Sequence, residues 1–392
     1  MTRPDPYDVI VLGAGGAGLM AALTAGQAGA RVLVLDHAER AGRKILISGG
    51  GRCNFTNLGI EPDRFLSENP HFAKSALSRY TQWDFLDLVQ RHGIAWHEKT
   101  LGQLFCDGSA RQIVAMLLDE CAAGGVEIRL GAEPGEIGHG DGLFRVAGAS
   151  ARRLIVATGG PSIPKMGATD AGWRIAARFG VPTIPARPAL VPLVLGGGDA
   201  LFRDIAGVAA PVVARADDGP GFAEAALFTH KGLSGPAILQ ASSYWRPGGA
   251  VVLEVLADAG AILRAARRAS PRAGVKAALA EHLPRRLAEA LAARIGWERE
   301  LGNMPDAEID RAAALLGGLT FRPTGTEGFA KAEVAAGGVD TAALSSRTLE
   351  ARAVPGLHFV GECVDVTGWL GGYNFQWAWS SGWAAGRAVA GG

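Results

Sequence analysis

Cysteine is scarce in this chain: the four present (Cys53, Cys106, Cys121 and Cys363) lie far apart, and no Cys-x-x-Cys occurs. That spacing argues against a disulfide framework, a thiolate zinc site and a dithiol redox centre, so no metal is expected. Reduced thiols in a cytoplasmic protein are the simplest reading. Excess charge is also lacking. The 39 Lys and Arg nearly balance the 38 Asp and Glu, for a net charge of +1, which excludes a globally basic nucleic-acid binder and leaves only a local patch open. No apolar run approaches the roughly 18 residues of a membrane span. The lead Met1-Thr2-Arg3-Pro4-Asp5-Pro6 is polar and Val9–Leu12 is too short an apolar run for a secretory signal, so none is expected.

Glycine, in contrast, is abundant, at 56 of 392 residues. In an ordered chain that implies tight turns and close backbone approaches, the geometry that nucleotide phosphates require. Apolar residues at 48% provide ample core, and the length suits two or three domains.

Tyr7–Leu12 reads as a buried strand, Leu19–Gln27 as a helix ended at Gly29, and Arg31–Leu35 as a second strand, together one βαβ unit with parallel strands. His71–His92 and Ala110–Ala123 have helical apolar stripes. Val126–Leu130 and Leu154–Ala157 are short strands suited to the same sheet. From Pro188 the texture changes to short β-like segments (Leu190–Val194, Val208–Ala214, Val251–Leu256). Ala261–Leu316 reads as helices interrupted at Pro271, Pro284 and Pro305. Leu357–Val360 is again a strand and Trp377–Ala390 a last helix. The expected fold is α/β: a Rossmann-like domain with a parallel sheet, discontinuous in sequence (1–188 and 341–392). Inserted into it are a β-rich, barrel-like domain (189–257 and 319–340) and a helical domain (258–318).

Gly13-x-Gly15-x-x-Gly18 follows the first strand and opens the first helix. Gly13 allows the tight turn, Gly15 admits a pyrophosphate, and Gly18 lets helix and sheet pack closely. The helix N-terminus adds free N–H groups and partial positive charge. Asp36, at the end of the second strand, is placed for ribose hydroxyls and disfavours a 2′-phosphate. This motif leaves FAD and NAD both open. The next segment, Gly42-Arg43-Lys44-Ile45-Leu46-Ile47-Ser48-Gly49-Gly50-Gly51-Arg52-Cys53-Asn54, favours flavin. Arg43, Lys44 and Arg52 can offset phosphate charge and Gly49–Gly51 can press backbone against a long cofactor; a solvated basic loop is the alternative.

Taken with Ala157–Gly160, Pro188–Leu193, Phe228–Pro236, Lys331–Gly338 and Gly361–Gln376, this segment makes the whole chain resemble the BaiN-like (YhiN-like) flavoproteins, also described as aminoacetone-oxidase-like FAD enzymes. The resemblance implies an FAD domain with inserted β-barrel and helical domains. By matching motif, it implies FAD contacts at Gly13, Ala14, Gly15, Gly16, Ala17, Gly18, Asp36, Arg43, Lys44, Ser48, Gly49, Gly50, Gly51 and Asn54. In the later motifs it implies Thr158, Gly159, Gly361, Glu362, Asp365, Gly372, Tyr373, Asn374 and Phe375. The family pattern often has an aliphatic residue where this chain has Cys363, which leaves open whether that thiol is chemical or fills space.

The flavin carries hydride and electron chemistry, and the protein orients it. Catalytic candidates are Cys53, facing the ring or merely buried; His230, whose loop the resemblance places near the flavin, as acid/base or as a structural residue; and Tyr373, stacking at the ring or packing. The four Trp of Trp369–Trp383 are core or a stacking platform. One stretch, Arg264 to Arg294, is strongly basic (Arg264, Arg267, Arg268, Arg272, Lys276, Arg285, Arg286 and Arg294 against Glu281 and Glu289) and is either a solvated face or an RNA-phosphate surface. The first functional expectation is an FAD-dependent oxidoreductase of a small molecule. The resemblance implies amine oxidation or reduction of activated carbon–carbon double bonds as its chemistry. The second, an activity that the resemblance also implies and the basic stretch motivates, is a flavin-dependent reductase making dihydrouridine in ribosomal RNA, and the third is a non-catalytic FAD-binding protein. The near-neutral charge and the lack of a recognised RNA-binding module rank the first ahead. Gly196-Gly197-Gly198 lacks strand–helix context, so NAD(P)H, if used, docks transiently.

Overall fold

The computed structural model describes residues 5–296 and 299–391, so Met1–Pro4 of the polar lead lie outside the described residues. The chain divides into two compact units, Met1–Arg187 with Val334–Gly392, and Pro188–Glu333.

The first unit is built on a sheet whose parallel core runs in the order Glu127–Leu130, β2 (Val32–Asp36), β1 (Tyr7–Leu12) and Ala149–Val156, with Leu357–Phe359 pairing parallel to the last. β1, β2 and Leu154–Val156 are the Val-, Ile- and Leu-rich runs expected of strands covered on both faces, with Val9–Leu12 and Leu154–Val156 all at most 1% exposed, while Glu127–Leu130 at the edge is largely exposed. The register decides the function. Leu12 lies opposite both Leu35 and Val156, and Val156 lies opposite Phe359. The segments leaving β1, β2, Val156 and Phe359 therefore emerge together at one carboxyl edge, where open α/β sheets bind ligands.

Helix α1 (Gly16–Gln27) follows β1 and is almost wholly buried. It is covered by the last helix, Tyr373–Val389, through small residues: a Cβ at Gly382 would lie 2.4 Å from the Ala17 carbonyl oxygen and one at Gly386 2.6 Å from that of Ala21. The four-tryptophan segment is largely core. Trp377 and Trp379 are fully buried, and the Trp379 ring stacks on Phe85 at 4.3 Å. After β2 come the short helix α2 (Arg43–Ile47) and β3 (Asn54–Asn57). β3 heads a three-stranded antiparallel sheet with Gln103–Cys106 and Trp96–Glu98.

Two segments depart from the expected elements. His71–His92 is not one helix but two, Lys74–Arg79 and Gln82–Arg91. The break falls at Thr81, whose hydroxyl accepts from the Asp84 N–H while Asp84 accepts from the Thr81 N–H. That reciprocal capping box starts a new helix more favourably than the first could continue. Leu190–Val194 is not one strand either: a strand covers Thr183–Ala189, Leu190 turns into the left-handed region (φ 49°), and Leu193–Val194 belongs to another sheet.

The second unit holds a seven-stranded antiparallel sheet in the order Leu319–Phe321, Val251–Glu254, Ala209–Ala216, Phe222–Phe228, Gly232–Ser234, Leu193–Val194 and Gly325–Thr326. Phe202, Phe228 and Phe321 pack together in its core. The helices Ala259–Ala269, Val275–Ala280, Arg285–Ile295 and Asp306–Gly317 break close to Pro271, Pro284 and Pro305.

The basic stretch is paired in part, while Arg268 and Arg272 are exposed and have no acidic partner among the described residues. Arg264 pairs with Asp310, Arg267 with Asp306 at 2.6 Å, Lys276 and Arg285 with Glu289 at 2.7 and 3.3 Å, and Arg294 with Asp199 at 3.0 Å. Arg286 donates to the Asp204 carbonyl at 2.6 Å. The acids Asp199, Asp306 and Asp310 lie outside the Arg264–Arg294 window, so counting charge within the window overstated its basicity.

Candidate functional site

The carboxyl edge of the parallel sheet gathers the sequence motifs of the first unit. A Cβ at Gly18 would lie 1.8 Å from the Gly13 carbonyl oxygen, and one at Gly13 2.4 Å from that of Ala157; neither position admits a side chain. Gly15 is different. Among the described residues nothing lies within 4 Å of its missing Cβ, so its absent side chain leaves open space in front of α1. Gly15 caps α1 without a side-chain hydrogen bond and the first turn carries no acid, so its N–H groups remain available to an anion.

Asp36 ends β2 and turns back onto this loop. One carboxylate oxygen accepts from the Ala14 N–H at 2.6 Å and the other from the Ala38 N–H at 2.8 Å. Each oxygen keeps a second lone pair. The carboxylate thus fixes the glycine turn and still has capacity for hydroxyl donors.

The basic glycine segment divides its work. Lys44 points inward, donating to Glu362 at 2.5 Å and Ser162 at 2.6 Å. The Ser162 hydroxyl donates to the other Glu362 oxygen at 2.8 Å, which also accepts from the Ala335 N–H at 3.0 Å. This closed network ties α2, the turn after Val156 and the turn after Phe359 into one wall. Beyond it, Gly49, Gly50 and Gly51 all take positive φ (56°, 67° and 85°), an arrangement only a glycine run adopts without strain. The Ser48 hydroxyl donates to the Ile45 carbonyl at 2.7 Å. Arg52 is exposed; Arg43 is half-buried, and its guanidinium lies beside Gly167.

Thr158 Oγ1 is buried and has no hydrogen-bond partner. It lies against Gly172 of the helix Ala171–Arg178, 2.7 Å from where a Cβ there would sit, while the Thr158 backbone adjoins Gly13. A second uncapped helix faces the same unit. The last helix begins at Gly372 (φ 100°), with no side-chain cap and no acid in its first turn. A Cβ on Gly372 would meet the Thr56 backbone at 2.4 Å. Asn374 clips the preceding loop, accepting from the Gly368 N–H and donating to the Gly368 carbonyl, both at 2.9 Å. Phe375 stacks on Trp379 at 5.6 Å. Asp365 is buried, accepting from the Glu68 N–H at 2.8 Å; desolvation raises its pKa.

The catalytic candidates separate. Cys53 is fully buried with its thiol pushed up to about 12 by desolvation, an environment that keeps sulfur protonated and inert. Cys363 is likewise pushed up to about 12 by burial and donates to the Val360 carbonyl at 3.1 Å, so it fills space. The Tyr373 hydroxyl accepts from Arg64 at 2.7 Å and donates to the Gly59 carbonyl at 3.0 Å; burial raises its pKa. His230 belongs to the second unit, exposed in the turn between Phe222–Phe228 and Gly232–Ser234. Sequence reading missed Ser162 and Arg64, which carry no motif of their own, and the role of Ala335 in an already conspicuous Lys331–Gly338 segment.

A fixed glycine turn, a carboxylate at the end of β2 and an uncapped helix start at one sheet edge define a Rossmann-type flavoprotein, and its cofactor is FAD. The chain belongs to the HI0933-like family, whose Rossmann-domain model matches residues 7–388. It is 52% identical to the ribosomal RNA dihydrouridine synthase of Escherichia coli (strain K12), over 97% of each chain, and 44% identical to the protein of the same name from Haemophilus influenzae, over 97% of this chain and 98% of that one. It is 30% identical to a 3-dehydro-bile acid delta(4,6)-reductase of Clostridium scindens, over 97% of this chain and 98% of the relative. Among the described residues no helix is long and apolar enough to cross a membrane, and no cluster of His, Cys, Asp and Glu is arranged to hold a metal.

Proposed function

We propose that this protein is an FAD-dependent reductase that converts uridine to dihydrouridine in ribosomal RNA. The observation that carries the reading is the identity of 52% and 44% with two proteins of that name, each over 97% of this chain. It promotes the reading that the sequence ranked second over the small-molecule oxidoreductase ranked first. The bile-acid reductase relative supports a shared chemistry: both named activities reduce a carbon–carbon double bond conjugated to a carbonyl.

In this reading bound FAD, reduced by a nicotinamide donor, would supply a hydride to one carbon of the conjugated double bond, and a proton from solvent would complete the other. The chain's own residues hold the cofactor in place. The open turn at Gly13–Gly18 and the free N–H groups of α1 take the pyrophosphate. Asp36 takes the adenosine ribose through its spare lone pairs. The Lys44–Ser162–Glu362 network holds the loops on which Ser48–Gly51, Asn54, Thr158, Gly159 and Gly361 present their backbone. Asp365 shapes the turn between Phe359 and the last helix. The uncapped N-terminus at Gly372–Phe375 favours negative charge nearby by about 0.3–1 kcal/mol when exposed and up to about 2 when partly buried. Tyr373 acts there as a structural clamp through Gly59 and Arg64 rather than as an acid.

The test is direct. Purified protein is incubated anaerobically with NADH or NADPH and hypomodified ribosomal RNA, and the nucleosides are analysed by mass spectrometry. Dihydrouridine appearing only with protein, reductant and RNA together supports the reading. Protein that retains FAD and is reduced, yet leaves the RNA unchanged while reducing a small enone, returns the small-molecule reading to first place.

A further inference from the structure

The sheet formed by β3, Gln103–Cys106 and Trp96–Glu98 has one face that adjoins both glycine loops of the site. Asn54 and His97 each lie directly opposite Phe105 in the antiparallel register, so the three side chains form one row on one face. Gly49 rests on that row: its missing Cβ would lie 2.7 Å from the Phe105 ring. At the other end, Asn57 donates to the Gly371 carbonyl at 2.8 Å and to the Leu101 carbonyl at 3.1 Å. The hairpin tip is thereby tied to the loop that opens the last helix.

His97 on this face is held as a rigid plate. Its Nδ1 lies 2.6 Å from Asp107 Oδ1, and its ring stacks on Phe105 at 6.1 Å and 16°. The side chain is nevertheless 41% exposed, which leaves ring surface in solvent. Lys99 stands over the same Phe105 ring at 5.3 Å, and Arg52 lies beside the end of Gln103–Cys106, where its carbonyl accepts from the Cys106 N–H. Among the described residues neither cation has an acidic partner, and Lys99 shares this face with Asp107. The hairpin tip is a tight two-residue turn. Leu101 (φ 51°) and Gly102 (φ 77°) are its central residues, both with the positive φ that such a turn requires, and Leu101 is 60% exposed.

We propose that this hairpin, residues 96–107, is an RNA-docking element: His97 stacks a base flanking the reacting uridine, and Lys99 and Arg52 take the adjoining phosphates. Single-stranded RNA is recognised by aromatic rings, histidine included, with basic groups along the backbone. A ring already locked by Asp107 and Phe105 loses little freedom on stacking. The inference rests on the RNA reading of the function, because the same plate has no evident use for a small substrate.

The experiment uses FAD-loaded full-length protein and a fluorescent single-stranded uridine-containing RNA oligonucleotide, with affinity measured across a salt series. His97→Ala weakens binding roughly 5- to 100-fold, the range of one lost base stack, while His97→Phe binds as wild type does. Lys99→Met lowers the slope of log affinity against log salt by about one phosphate. FAD content and melting temperature stay at wild-type values in all three. Wild-type protein that makes dihydrouridine in ribosomal RNA while His97→Ala and Lys99→Met bind RNA unchanged overturns the docking proposal alone. Loss of FAD or of folding in both His97 variants makes the ring structural and also overturns it. Wild-type protein that neither binds RNA nor makes dihydrouridine fails the functional reading, and the docking proposal with it.

Discussion

Replacing Asp36 by alanine probes two effects that the sequence alone would merge. A carboxylate reserved for a ribose would be dispensable to the apoprotein, but here its oxygens accept from the Ala14 and Ala38 N–H groups at 2.6 and 2.8 Å. Hydrogen bonds to a charged acceptor contribute about 1.5–3 kcal/mol each, and a buried donor left unpaired costs about 1–3. Ala14 is completely buried, so leaving its N–H unpaired costs toward the upper end of that range, and the Ala38 N–H, nearer the surface, costs less. Asp36→Ala is therefore expected to destabilise the apoprotein by about 2–4 kcal/mol, before any effect on cofactor. FAD retention then falls further through the lost ribose bonds. Asp36→Asn separates the terms, since one amide oxygen still accepts from Ala14 while the NH2 group opposes the Ala38 donor. The assay pairs denaturant unfolding of the apoprotein with fluorescence titration of FAD into each variant. Apoprotein as stable as wild type, with FAD affinity alone reduced, would refute the structural half of the argument. Unchanged FAD affinity after correction for the folded fraction would remove Asp36 from the cofactor site.

Gly18→Ala places a Cβ 1.8 Å from the Gly13 carbonyl oxygen and 3.2 Å from the Ala157 Cβ, so the variant is expected to express without FAD or not to fold; yellow, stable protein would show that the turn gives way. His358 is buried, with Nδ1 on the Thr348 carbonyl, and burial holds its pKa below the ordinary value. Its neutral-state stability is full above about pH 6.5 and is lost as pH falls from there toward the folded pKa, by up to about 1.4 kcal/mol per pH unit. Denaturant midpoints at neutral and mildly acid pH should converge in His358→Gln, and equal acid sensitivity in both proteins would contradict this. Reversing Arg267, Arg268, Arg285 and Arg286 to Glu should destabilise the second unit while leaving RNA binding largely intact. Arg267 faces Asp306 and Arg285 faces Glu289; abolished RNA binding in a stably folded variant would restore the basic helices as the RNA surface.

What could be read ahead of the structure followed from local rules. The β1 turn is legible because only glycine meets its contacts, and the strands because β-branched runs end in glycine. The Pro-marked breaks between residues 259 and 317 are legible because proline removes a helix donor. What could not be read depends on partners distant in sequence. Ser162 matters through Lys44 and Glu362, which lie 118 and 200 residues away. Arg64 matters through Tyr373, 309 residues on. The helix break at Thr81 is legible as Thr-x-x-Asp, but the apolar stripe continues across it and masks the cap.

The same distinction decides how RNA binding should be sought. Charge density along the chain pointed to Arg264–Arg294, and pairing with Asp199, Asp306 and Asp310 takes up part of that charge, leaving Arg268 and Arg272 without an acid among the described residues. An ion pair already formed must be broken before its cation can release a counterion from phosphate, so such residues contribute little to affinity. The useful cations are those that folding leaves without an acid, and at the hairpin proposed for docking these are Lys99, over the Phe105 ring, and Arg52, whose backbone adjoins its end. A protein with a net charge of +1 can therefore act on RNA if a few unpaired cations and one fixed ring lie beside the reacting base. The near-neutral composition that argued against RNA in the sequence measures only the sum of charges, whereas docking depends on which of them remain unpaired.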